Sequence, residues 1–392
     1  MHLQRIQVPD FRALKDVDIS FEKEFTPRIF PLGSQNGGGK STLLQLIFVL
    51  LHCSGNPDRV EFIQNLLDGF QVNNESGKRT LTIIDIWDSS KTVTLDFFIC
   101  SESYILNLLD GEYIEDYIVY LFNEDGEIKS TILHKETSEK YIDLLFICNF
   151  QAAQNFREGL FCQFDRRYID EVNKFVIELS NKIFLAAHIS QIFLFLQPDN
   201  RKSLFKQQEN NQTNYYQQIK AANSKLPGFF TYDFLSIDIL IASFKKAQED
   251  DFAHAVKQRG NYGNNYVKLL DELDNLLTNK KINVEPDLSG INFKIDGDET
   301  ELYPEDLSHG ELKRLCIYMW LKHNNIEDAI VLMDELEISF HPDWQYQIVR
   351  DLEEWGASNQ YILATHSYEL CNAVTPAHVK ELDPKLQART IQ

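Results

Sequence analysis

Hydrophobic and polar positions alternate with a period of two near the start of the chain, over Leu3 to Val8 and Val17 to Glu22, which predicts two short strands. Arg28 to Leu32 is a mostly apolar run that reads as a buried strand and leads directly into a glycine cluster. From Ser41 to Cys53 the apolar residues Leu43, Leu44, Leu46, Ile47, Leu50 and Leu51 recur at helical spacing and cover most of the circumference. A helix packed on most sides is expected there, ended by Gly55-Asn56-Pro57. Strand, glycine loop and helix are thus contiguous.

Thr80 to Ile86 and Lys91 to Cys100 alternate again around Asp88-Ser89-Ser90, which predicts an antiparallel hairpin, and Asn123-Glu124-Asp125-Gly126 predicts a second hairpin turn. Between Asp165 and Lys281, helical patterns alternate with an apolar strand at Ile192 to Leu196 and a Gln/Asn-rich tract, Lys206 to Gln218, expected as an exposed loop or helix. No heptad pattern persists, so long coiled-coil arms are not expected. Regular alternation then returns as strand Gly290 to Asp296, helix Gly310 to His323, strand Ala329 to Glu335, helix Pro342 to Trp355 and strand Gln360 to Thr365. Such alternation of buried strands and helices predicts an α/β fold with a parallel sheet core. The expected organisation is a first lobe at 1–100, a helical insertion at 101–285 and a second lobe at 286–392, with both lobes in one composite head.

Composition narrows the setting. Hydrophobic residues make up 43% and charged residues 25% of 392 positions, enough apolar material for a core. The formal charge of −21 argues against a surface that clings to nucleic acid as a whole, though a local basic groove is still allowed. Cys53, Cys100, Cys148, Cys162, Cys316 and Cys371 are scattered without a metal-like spacing, so reduced core thiols and a cytoplasmic location are expected. The N-terminus has no signal-peptide pattern and no apolar run reaches bilayer-spanning length, so no membrane contact is expected.

Chemistry is concentrated at a few points. Ser34-Gln35-Asn36-Gly37-Gly38-Gly39-Lys40-Ser41-Thr42 lies where a strand ends and a helix begins, the context a phosphate-binding loop requires. Small residues let successive N–H groups converge on phosphate, the helix N-terminus adds positive potential, Lys40 neutralises terminal phosphates and the Ser41 hydroxyl reaches Mg²⁺. Ser34 stands where the usual pattern has its first glycine. Ile330 to Glu335 is an apolar strand ending in two carboxylates, which places Asp334 to hold the magnesium shell and Glu335 to orient or deprotonate a water. Leu307-Ser308-His309-Gly310-Glu311 opens a helix and offers backbone donors to an anion, and His366 ends a buried strand where an imidazole could meet a phosphate. Asp296-Gly297-Asp298 reads as a turn and His323-Asn324-Asn325 as a helix end, rather than as nuclease motifs.

With these four elements in this order, the chain resembles the ABC ATPases, and among them the soluble heads related to SMC, RecF and the OLD family. The resemblance covers about the first fifty residues and Gly290 to about Asp383. It implies that Asn36, Gly37, Gly38, Gly39, Lys40, Ser41 and Thr42 bind ATP as Walker A. Ser308, His309, Gly310 and Glu311 would then be the signature, with Asp334 and Glu335 as Walker B and His366 as the switch histidine. Glu337-Ile338-Ser339-Phe340-His341-Pro342 resembles the D-loop of the OLD-like branch, and Phe11 to Lys15 the opening element of SMC and RecF heads, which brings Arg12 to a phosphate. Gln151, Gln191 and Gln197 all compete for the Q-loop position, with Gln197 preferred.

The resemblance further implies a homodimer or higher oligomer, with each Mg-ATP held between one subunit's Walker loop and the other's signature. Within it, the chain is most similar to ATPases of anti-phage defence, such as those of Septu systems and retrons, where a separate nuclease cuts. The chain ends too soon after His366 for a Toprim nuclease, so the expected partner is a separate nuclease subunit of HNH type, with nucleic acid met through that complex. A RecF/SMC-like DNA-repair clamp is the alternative, and a transporter nucleotide-binding subunit is disfavoured.

Overall fold

In the computed structural model, residues 1–72, 76–109, 131–136, 141–151, 157–164, 169–204, 211–232, 236–298, 300–303 and 306–382 are described. Strands β1 (His2–Phe11) and β2 (Leu14–Ser20) form a hairpin, and β3 (Ile29–Gly33) runs through the glycine loop into α1 (Lys40–Cys53) and α2 (Val60–Leu66). β4 (Lys78–Trp87), β5 (Thr92–Ser101), α3 (Glu102–Leu109), β6 (Thr131–Glu136), β7 (Tyr141–Gln151) and β8 (Arg157–Phe164) follow. Next come α4 (Ile169–Ser180), β9 (Ile183–Ala187), α5 (Pro198–Ser203), α6 (Asn211–Lys225) and β10 (Phe229–Thr231). After α7 (Ser236–Lys257) and α8 (Asn265–Asp274) lie β11 (Lys280–Val284), β12 (Ile291–Ile295) and β13 (Glu301–Leu302). The chain continues through α9 (His309–His323), β14 (Ile330–Asp334), α10 (Pro342–Trp355), β15 (Gln360–Ala364), α11 (Tyr368–Asn372) and β16 (Lys380–Glu381).

Among the described residues the strands form three sheets. One is parallel and ordered β10-β9-β14-β15-β3-β16, one is antiparallel and ordered β2-β1-β4-β5-β8-β7-β6, and a small one is ordered β11-β12-β13. β14 and β15 are buried at every position, as strands covered on both faces must be. Their side chains divide by parity between two cores. Leu32, Leu185, Ile330, Leu332, Ile362 and Ala364 pack with α1 and the antiparallel sheet, whereas Ala186, Val331, Met333, Tyr361 and Leu363 pack with α7, α9 and α10. α1 lies between the two large sheets, which is why it is apolar nearly all round; Leu46, Phe48, Val49 and Leu50 are inaccessible to solvent.

The middle of the chain supplies helices, as expected, and also strands of both large sheets: β6, β7 and β8 extend the antiparallel sheet while β9 and β10 extend the parallel one. The apolar run at Ile192 to Leu196 is not a strand, because Phe193 and Phe195 bury their rings as a loop plug against Phe48, Phe62 and Phe229. Core burial, rather than sheet pairing, accounts for its hydrophobicity. The turn expected at Asn123 to Gly126 and the start of the polar tract, Lys206 to Asn210, lie outside the described residues. All six cysteines are free thiols, five of them buried. The longest described helix is α7, with 22 residues, and no described helix is long and apolar enough to cross a membrane.

One side chain joins the two large sheets. Gln360, at the start of β15, accepts the Leu3 amide at 2.7 Å and donates to the Leu3 carbonyl at 2.8 Å, entirely within the core. Replacing it by alanine would strand both groups, at about 1–3 kcal/mol for each buried unpaired polar group. Gln360→Ala should therefore lower unfolding free energy by about 2–5 kcal/mol in urea denaturation, given a cost of that order for each group; a loss within about 0.5 kcal/mol, the range typical of surface changes, would remove this joint from the account.

Candidate functional site

The parallel strands end level with one another. Asp334 lies opposite Ala364, Ala364 opposite Leu32, and Met333 opposite Ala186. Glu335 donates its amide to the Ala364 carbonyl at 2.9 Å and Thr365 donates to Leu32 at 3.2 Å, so the pairing continues past the ends. This register brings the loop after β3, the carboxylates after β14, His366 after β15 and the turn after β9 into one crevice at the carboxyl edge of the sheet, where open α/β folds bind ligands.

In the loop, Gly37 and Gly39 take φ of +81° and +90°, a region side chains rarely adopt. Gly39 precedes α1 without any side-chain cap, which leaves the first amides of the helix available to an anion. Gly38 has a different reason to be glycine. A Cβ there would meet the Ser34 hydroxyl at 2.4 Å, so the serine at the usual glycine position is accommodated by the missing side chain four residues later. Lys40 is buried and reaches back to the Ser34 hydroxyl at 3.1 Å and to His366 Nε2 at 2.8 Å. An ammonium can only donate, so His366 accepts through Nε2 and carries its proton on Nδ1. Burial lowers the Lys40 pKa against the opposing pull of Asp334, Glu337 and Glu335.

Asp334 is 2% exposed, and its Oδ1 has no hydrogen-bond partner. Burial raises its pKa to about 7, against the Ser41 hydroxyl that bonds the carboxyl, with Glu335 and Glu337 pushing further up. Glu335 sits at φ +49°, unusual for a side chain of this size, and is held there by its amide bond to Ala364. Its carbonyl accepts from Lys313 of α9 at 3.3 Å, and Lys313 also donates to the Ile338 carbonyl at 3.1 Å. Its carboxylate accepts from Gln191 Nε2 at 2.5 Å. Glu337 accepts the His366 amide at 2.7 Å through Oε1 and keeps Oε2 buried and unpartnered.

The preference for Gln197 is corrected by this geometry. Gln197 precedes α5 and accepts from Asn200 at 3.0 Å, and Gln151 closes antiparallel strand β7. Gln191, four residues beyond β9, is the glutamine that reaches Glu335. The signal was the short apolar run Ile183 to Ala187, overshadowed by the more hydrophobic stretch after it.

Ser308 and Glu311 form a reciprocal capping box at the start of α9, and Glu311 also accepts from Lys280 at 2.6 Å. Ser308 and His309 are exposed, while Gly310 is packed so tightly that a Cβ would lie 2.8 Å from the Ser339 carbonyl. Arg12 is next to the phosphate loop only through its neighbours, since Leu14 and Ala13 touch the space beside Gly39. Its own guanidinium turns to the carbonyls of Leu66 and Asp68 at 3.1 and 3.3 Å. Asp296-Gly297-Asp298 is a turn with Gly297 at φ +80°, and His323 ends α9 bonded to Ser243 at 2.8 Å.

A divalent cation suits this donor set, because Asp334 and Glu337 each hold a buried oxygen without a partner and the Ser41 hydroxyl lies on Asp334. Fold and site together define a phosphate-loop ATPase domain. The sequence pattern of the AAA ATPase domain family matches residues 1–371, and the chain belongs to that family. Over shorter stretches it is similar to the Retron Vc95 probable ATPase of Vibrio cholerae serotype O1 biovar El Tor, 44% identical over 58 residues, 14% of this chain and 11% of that protein. It is also similar to the Retron Ec83 probable ATPase of Escherichia coli, 36% identical over 51 residues, 13% of this chain and 9% of that protein. The matches thus span about a tenth of either relative, 11% and 9%. Among solved structures, the Smc head bound to the C-terminal winged-helix domain of ScpA aligns over 95% of this chain and 93% of its own at 12% identity, with a TM-score of 0.39. The SMC head domain from Thermotoga maritima aligns over 95% and 92% at 10% identity, with a TM-score of 0.37.

Two outcomes are expected. Gly38→Ala should weaken ATP binding by about tenfold or more, as overpacking costs about 1–3 kcal/mol, and adding Ser34→Gly should recover most of the loss in a titration; a double variant no better than the single one would contradict the clash. Asp334→Asn tests the buried charge. Because the folded carboxyl titrates at about 7 rather than 3.8, the folded state holds an extra proton between those values, so stability from this group is greatest below about pH 4 and declines as pH rises towards 7. In chelator and without nucleotide, Asp334→Asn should melt higher than the unsubstituted chain at pH 8, with the gain shrinking towards pH 4.

Proposed function

We propose that the chain is an Mg-ATP-dependent ATPase that works as a dimer and controls a partner effector, a nuclease, in bacterial anti-phage defence. The observation that carries the catalytic part is the convergence of Lys40, Asp334, Glu335, Gln191 and His366 at one sheet edge. Asn36 to Thr42 bind the phosphates of ATP, the amides at the start of α1 supplying donors and Lys40 the charge. Ser41 and Asp334 hold Mg²⁺, which supplies positive charge against the phosphates when bound. Glu335 takes up the proton of an attacking water or orients it, with Gln191 fixing the carboxylate that does so. His366 occupies Lys40 until phosphate competes for that lysine.

Exposure of Ser308 and His309 supports the reading that the signature serves a second copy. Each ATP is then held between Gly37–Thr42 of one subunit and Ser308–Glu311 of the other, and ATP acts as a dimerisation switch. Arg12 reaches a phosphate only if its guanidinium leaves the Leu66 and Asp68 carbonyls. The short matches to the two retron probable ATPases favour the defence setting; an HNH-type nuclease subunit, nucleic acid met through that complex and a cytoplasmic location belong to this reading through the family resemblance alone.

Lys40→Ala should reduce ATP turnover at least about 100-fold, and Glu335→Gln should bind ATP but turn it over about 10²–10⁴-fold more slowly, the range for a lost general base. The second variant should accumulate as an ATP-bound dimer in light scattering. Undiminished hydrolysis by Lys40→Ala would refute the site, and full activity of Glu335→Gln would refute the role of that carboxylate.

A further inference from the structure

The Gln/Asn-rich tract forms part of α6, which no step above uses. Tyr215, Ile219 and Ala222 recur at helical spacing on its buried face and pack into the core that holds Phe193 and Phe195. Gln217, Lys220, Ala221 and Ser224 lie on the opposite, exposed face. From the buried face the Tyr215 hydroxyl donates to the main-chain carbonyl of Gln191, and the main chain at Phe193 meets the same phenol oxygen. Burial raises the phenol pKa, which keeps it a donor.

Gln191 lies four residues beyond β9, outside the register that pairs this strand with β14 and β10, so its main chain depends on side-chain and turn contacts for its position. Its amide donates to the His188 carbonyl at 3.0 Å, and further along the Leu194 amide donates to Gln45 of α1 at 2.5 Å. Between these ties the carboxamide of Gln191 holds the Glu335 carboxylate. We infer that Tyr215 is a positioning residue for ATP hydrolysis: by fixing the main chain of Gln191 it fixes where Gln191 holds Glu335. The inference rests on the ATPase reading above, and it makes α6 a lever from the surface to the catalytic carboxylate.

Tyr215→Phe keeps the ring and its packing and removes only the donor. In the full chain, amide hydrogen exchange over residues 189–194 should become faster, and kcat should fall about tenfold or more with KM for ATP unchanged, since misplacing a catalytic group by about 1 Å costs up to about 10²-fold. In a Gln191→Ala background the same substitution should add less than about twofold, because both changes break one linkage. Unchanged exchange at 189–194, unchanged kcat, or fully additive effects in the double variant would each overturn the positioning role. Turnover that survives Lys40→Ala would instead overturn the ATPase reading, and the inference with it.

Discussion

The level ending of β9, β14, β15 and β3 is the constraint on which the rest of the molecule depends. Side chains of a strand alternate between faces, so a slip of one residue in β14 would send Ile330 and Leu332 to the wrong core and turn Asp334 away from Ser41. Two cores of different shape, one built on α1 and the antiparallel sheet and one on α7, α9 and α10, make that slip costly on both faces. The hydrogen bonds from Glu335 to Ala364 and from Thr365 to Leu32 extend the register beyond the strands, where the chemically useful residues begin.

That register forces charge into a poor solvent. Glu335 and Glu337 both act on Asp334, all three carboxylates act on Lys40, and Lys40 is shared with His366. Burial dominates the titration of both Asp334 and Lys40, pushing each towards its neutral form. A divalent cation would reverse the balance for the carboxylates, and phosphates would do so for the lysine. The backbone of the crevice is unusual as well, since Glu335 at φ +49° and Ser339 at +73° are kept in sparsely populated conformations.

Most of this centre was legible in the sequence because its parts are local. A glycine loop between an apolar strand and an apolar helix, or a buried strand ending in Asp-Glu, carries its context within a dozen residues, and Pro342 to Trp355 matched the helix it predicted. Ser34 looked like a defect only because the compensation, the absent side chain at Gly38, is visible in three dimensions alone. The middle of the chain was harder. Ile183 to Ala187 is a five-residue strand whose partner β14 lies about 150 residues away, whereas Phe193 and Phe195 advertise a strand and instead fill a void beside α1. Periodicity reports burial, and burial does not distinguish a paired strand from a plugged loop.

The same distinction explains why Gln191 stood as only one of three candidate glutamines and why Tyr215 escaped notice. Neither belongs to a local pattern, since one sits past a short strand and the other inside a tract whose composition reads as solvent-exposed. On the Gln191 side of the crevice, side chains from α1 and α6 grip the main chain. α1 is buried nearly all round and is tied to the phosphate loop, so its grip follows the nucleotide. α6 has an exposed face, so its grip can answer to something outside the site. The Glu335 carboxylate is thus held, through Gln191, by main chain that a buried helix and a part-exposed one both grip.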